Sequence, residues 1–122
     1  MATIKIVRTE EEFLALKPKW DSLVAKNPAL TVFQTFEWNF NVWTHYYKQV
    51  RPMDRLYILF ANRDGHEEEA ILPFCIAKSG TVEIIGQTLS DICSEICAKH
   101  QGNWHPFYND IYEFFNQCYK ND

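Results

Sequence analysis

Cys93, Cys97, His100 and His105 are the residues of this chain whose types and closeness suggest chemistry, since thiolates and imidazoles bind zinc or pair as nucleophile and base. Their spacing argues for something plainer. Positions 93, 97 and 100 fall on one face of a helix, whereas a zinc knuckle holds its first ligand pair about two to four residues apart in a turn. Small side chains on a buried face are the simpler reading, so neither a metal nor a cofactor is expected here. Nothing local singles out Cys97 with His100 or His105 as a nucleophile pair. Asp91 and Glu95 are carboxylates four residues apart, a spacing that also suits surface charge. The acidic runs at 10–12 and 67–69 read as a helix first turn and a hairpin tip.

His45 stands apart because of its surroundings. Seven of the seventeen residues from 31 to 47 are aromatic, a density that needs a large partner surface. Thr35 is placed to cap a helix, with Glu37 in the first turn where a carboxylate favours the positive end of the helix dipole. Trp38, Val42, Trp43 and Tyr46 follow at helical spacing and predict one broad apolar stripe, the organiser of the core. A minority of these rings would line a ligand groove, and Trp38, Trp43, His45 and Tyr46 are the candidates.

The totals set the frame for this helix. The chain has 122 residues, a net charge of −4 and a sequence pI near 5.5, which leaves it without the basic footprint of a nucleic-acid or anionic-lipid binder. One domain covering residues 1–122 is expected. No apolar run approaches the roughly 20 residues that span a bilayer, and the first residues lack a signal-peptide core, so a cytoplasmic protein is expected. Four scattered cysteines predict reduced thiols.

In chain order, residues 3–8 read as a strand and Thr9 to Glu12 as a capping box. A helical pattern through Phe13, Leu16, Trp20, Leu23 and Val24 contains Pro18, which predicts a kink or a second helix beginning near that proline. After the aromatic helix, residues 55–62 form a near-continuous apolar run, as in a strand covered on both faces. Asp64-Gly65 predicts a hairpin turn into a strand over 69–78, where Pro73 implies a bulge or an edge. Ser79-Gly80 then turns into a third strand over 81–86. Leu89, Ile92, Cys93, Ile96 and Cys97 predict a helix capped by Ser90. A last helix starts at Pro106 or Asn109 and carries Phe107, Ile111, Phe114, Phe115 and Cys118.

The resulting α/β order, β-α-α-β-β-β-α-α with a mainly antiparallel sheet packed by helices, resembles the first half of the Gcn5-related N-acetyltransferase (GNAT) fold. Phe33-Gln34-Thr35-Phe36-Glu37-Trp38 followed by Trp43 is similar to the Phe-x-Ser/Thr-x-x-Trp…Trp opening of the cellulose-biosynthesis (BcsL/CelD-type) acetyltransferases, relatives of the FemAB-like aminoacyltransferases. Trp20-x-x-Leu23, Leu72-Pro73-Phe74, Gly86 and Ser90-Asp91 agree with it, so the likeness spans positions 13–91.

The resemblance implies acyl transfer from acyl-CoA in a longer, two-halved protein whose second half is associated with the acyl-CoA site. This chain resembles the first half. A GNAT enzyme carries Gln/Arg-x-x-Gly-x-Gly/Ala after the third meander strand, where freed amides cradle pyrophosphate at a helix N-terminus. The corresponding residues here are Gln87-Thr88-Leu89-Ser90-Asp91-Ile92, which keep only the glutamine. A non-catalytic domain that shapes an acceptor groove and packs against a second GNAT-like domain is therefore expected. Two alternatives stand beside it: an acetyltransferase using acetyl-CoA in a site completed by a partner chain, and a homodimerising module that covers a sheet edge left open where only helices follow the third strand.

Overall fold

The computed structural model describes residues 2–63, 69–87, 89, 96–97 and 105–121. β1 (Ala2–Val7) runs antiparallel to β2 (Arg55–Arg63), with Ile4 opposite Ala61. β3 (Glu69–Ile76) continues the meander with Leu59 opposite Leu72, and β4 (Val82–Ile84) follows with Phe74 opposite Ile84. The sheet order is β1-β2-β3-β4. The Asp64-Gly65 turn lies outside the described residues. The turn at Ser79-Gly80 is closed by Gly80 N donating to Ala77 O at 2.8 Å.

Residues 96–97 correct the sequence reading. They form a short strand, β5 (Ile96–Cys97), that pairs with Ala70 and Ile71 of β3 where the aromatic-poor stripe predicts a helix. β2 occupies one edge of β3 along its length, so β4 and β5 share the other edge, end to end. Pro73 sits at their junction. Its carbonyl accepts from Ile85 N at 2.8 Å, so its missing N–H falls on the same side, between the two short strands. A free stretch of ladder there offers residues 96–97 partners that outweigh a weak helical period, and Ile96 is fully buried. It also removes the premise that only helices follow the third strand. The predicted Ser90 cap and residues 91–95 lie outside the described residues.

Pro18 acts as the second of the two expected outcomes. α1 (Glu10–Ala15) ends at Leu16, and α2 (Lys17–Ala25) starts afresh with the proline in its first turn, where no amide donor is needed. Thr9 caps α1 by accepting from Glu12 N at 3.2 Å, and the Glu12 carboxylate reaches back to Arg8 N at 3.3 Å. That contact holds the Glu12 carboxyl below its ordinary range.

A 3₁₀ turn (Val32–Gln34) leads into α3 (Phe36–Asn41), capped by Thr35, which accepts from Trp38 N at 3.2 Å. The helix then widens into π-turns over Val42–Tyr47 and closes as α4 (Lys48–Val50). Lys48 N donates to Trp43 O, five residues back.

Two cores result, one on each face of the sheet. Val7, Leu56, Ile58, Ile71 and Cys75 pack against α1, α2 and the aromatic helix. Tyr57, Leu59, Ala61, Ala70 and Ile76 pack against Phe107 and Ile111 of α5 (His105–Asn121). Neighbouring residues of β2 thus enter different cores, which explains its unbroken apolar run.

Candidate functional site

Two apolar rows run along the helix from Phe36 to Val50; the first supplies most of its core contacts, and the second enters the core at Val42. Phe36, Phe40, Trp43 and Tyr47, at spacings of four, three and four, form the inner row. Phe36 stacks on Phe40 at 5.2 Å and Trp43 on Tyr47 at 5.1 Å between ring centroids. Phe13 and Trp20 of α1 and α2 close this cluster, each meeting Phe36 edge-on. The Trp20 indole donates to Gln34 O at 2.8 Å, and buried Asn39 donates to Thr35 O at 2.8 Å, so the turn before the helix is locked to it.

The second row is Trp38, Val42, Tyr46 and Val50. It walls an open groove of about 630 Å³, to which His45 and Val32 also contribute. Of the four residues proposed from sequence, Trp38, His45 and Tyr46 therefore come together. Trp43 does not; it is 7% exposed, stacks on Tyr47, and reaches a separate cleft of about 400 Å³ beside Arg8 and Arg55. Val32 and Val50, 61% and 60% exposed, mark the ends of the groove. Asn41, His45 and Gln49 line its polar side at four-residue intervals, and of these the sequence reading named only His45.

The groove's inner wall is set by Gly86. Its φ of +79° belongs to the left-handed region, and an added Cβ would stand 3.3 Å from Trp38 Nε1. The Gly86 turn is closed by Gln87 N donating to Ile84 O at 3.0 Å, while the Gln87 side chain accepts from Ile84 N at 2.9 Å. The one residue matching the acyl-CoA loop pattern thus spends its side chain on the end of β4. Of the rest of that stretch, Leu89 donates its N–H to Gly86 O at 2.9 Å, and Thr88 and Ser90 to Ile92 lie outside the described residues.

Beneath the turn, Gly86 N donates to the Tyr47 hydroxyl at 2.9 Å, and that hydroxyl sits beside the Cys75 thiol. Burial pushes the Tyr47 phenol well above its ordinary value and the thiol up to about 12. Both stay protonated at neutral pH, so Cys75 is no nucleophile there. Arg51 covers the Tyr47 ring at 5.0 Å and bridges Asp54 at 2.6 Å and Glu83 at 3.0 Å. Asp54 also accepts from Lys78 N at 3.0 Å, which ties the connector before β2 to the turn after β3. Neither cluster was visible in the sequence, because its members come from positions 47, 51, 54, 75, 83 and 86.

Among the described residues no group of three or more His, Cys, Asp or Glu gathers to hold a metal ion. Cys93 and His100 lie outside the described residues, as do the side chains of Cys97 and His105. No helix of the described residues is long and apolar enough to cross a membrane. No family model, curated protein or solved structure matches this chain.

Proposed function

We propose that this chain is a non-catalytic GNAT-like half-domain, similar to the N-terminal part of a BcsL/CelD-type acyltransferase, whose aromatic groove shapes the acceptor side of the complete enzyme. The carrying observation is a division of labour around Gly86. The groove wall of Trp38 and Tyr46 is built and braced, while Gln87 is engaged in capping β4. An antiparallel meander between helices on both faces supports the reading at the level of fold class, while β5 stands where the half-fold order has a helix. The buried thiol and phenol are held protonated, which supports a structural role for both.

Acyl transfer would then belong to a second GNAT-like domain. Incubation of the purified chain with acetyl-CoA and a panel of amine and sugar acceptors, followed by the release of free thiol, tests this directly. Release at the rate of the protein-free control is expected. Release that saturates with acceptor would overturn the reading in favour of an active acetyltransferase.

A further inference from the structure

We infer that the outer edge of β1 pairs with the β1 of a second copy of this chain, joining two five-stranded sheets antiparallel across a two-fold axis at Ile4. This goes beyond the acceptor-groove reading and does not depend on it, since the groove lies on the aromatic helix. β1 ends the sheet order, and among the described residues no strand takes its outer side. Alternate residues of an edge strand turn their N–H and C=O groups outward, and another extended backbone is the partner those groups fit.

The two ends of the sheet are built differently. At the far end the ladder breaks up into β4 and β5, three and two residues long, with Pro73 at their junction, and strands so short discourage further pairing. β1 has no such guard. Its six residues contain no proline and pair with β2 in unbroken register, from Ala2 opposite Arg63 to Val7 opposite Ile58, so no bulge twists the edge away. Its one charged side chain, Lys5, is drawn toward Glu12 of α1 at 3.8 Å. On the other face Ile4 and Ile6 pack against the α5 core yet stay only partly buried, which leaves apolar flank for a neighbouring strand to cover.

The match of β1 to itself selects a second copy as the occupant. Side chains directly opposite in an antiparallel pair share a face, so the dyad must fall on a residue. A dyad at Lys5 would set two ammonium groups against each other, which is destabilising. A dyad at Ile4 sets isoleucine against isoleucine on the α5 side and, on the α1 side, Thr3 against the partner's Lys5. The interface is then isologous, with each copy offering the same patch.

Sedimentation velocity of the whole chain from micromolar to millimolar concentration tests this, and a reversible equilibrium of monomer and dimer is expected. Thr3 is exposed, so both of its charged variants should keep the fold. Thr3→Lys opposes like charges twice across the dyad and should weaken the dimer about tenfold, whereas Thr3→Glu faces the partner's Lys5 and should tighten it. Ile4→Cys tests the register. Cα atoms paired at the dyad lie about 4.5–5.5 Å apart, within disulfide reach, so mild oxidation should turn this variant, but not the parent chain, into a covalent dimer. A monomer throughout the range, equal affinities for Thr3→Lys and Thr3→Glu, or no cross-link from Ile4→Cys would each overturn the proposal.

Discussion

At the scale of the residue, Tyr47 braces the site from beneath without lining it. Its hydroxyl accepts from Gly86 N inside the core, where an unpaired amide costs about 1–3 kcal/mol. Tyr47→Phe should lose that amount in urea denaturation at neutral pH, and a loss below a few tenths would show the bond to be dispensable. The thiol beside it gives a pH signature. Burial raises the Cys75 pKa from 9.0 in its ordinary range to about 12, so the folded state keeps a proton that the unfolded chain releases. Its contribution to stability is whole below pH 9 and drains away as pH rises toward 12. Tyr47 shifts in the same direction for the same reason. Melting temperature should therefore fall above pH 9, and fall less in Cys75→Ala; parallel declines would contradict the burial of the thiol.

At the scale of the element, the aromatic helix shows what a sequence does and does not disclose. Its start was legible, because Thr35 satisfies a helix amide by chemistry confined to four residues. The same holds for Thr9, Pro18 and the Ser79-Gly80 turn. How deeply each ring of the expected stripe is covered was not legible: Val42 and Trp43 are buried, Trp38 and Tyr46 only partly. Phe36, Phe40, Trp43 and Tyr47 make one apolar row and Trp38, Val42, Tyr46 and Val50 another, so periodicity alone could not choose between them. Widening into π-turns compounds this by changing the angular step after Asn41. Trp38, His45 and Tyr46 thus lie along one groove, whereas Trp43, named with them from the sequence, is buried in the core. Two alanine variants measure the distinction. Trp43→Ala should cost about 3–5 kcal/mol, as expected of a core ring. Tyr46→Ala, which removes a half-buried one, should cost roughly 1–2 kcal/mol. Equal losses would mean that the two rings share one environment. Gly86→Ala joins them from the opposite wall: the positive φ alone costs about 1–2 kcal/mol in a residue with a Cβ, and the new carbon presses on Trp38.

At the scale of the whole molecule, the sheet carries helices on both faces and each face has its own core. The doubled covering was readable from the unbroken apolar run of β2, and the last helix from its stripe of Phe107 and Ile111. β5 was not readable, since its pairing depends on an opening in the edge of β3 created by the shortness of β4 and by Pro73, distant in sequence from residues 96–97. Such a site can be recognised only after the sheet is assembled. The central claim is that this chain shapes a groove and leaves coenzyme chemistry to another domain. A thermal-shift titration with acetyl-CoA and free coenzyme A tests it most directly, because a ligand at 100 times its Kd stabilises the folded state by about 2.7 kcal/mol. The account predicts an unchanged melting temperature with either compound up to millimolar concentration. A saturable rise with acetyl-CoA would contradict it and place an acyl-CoA site on this chain.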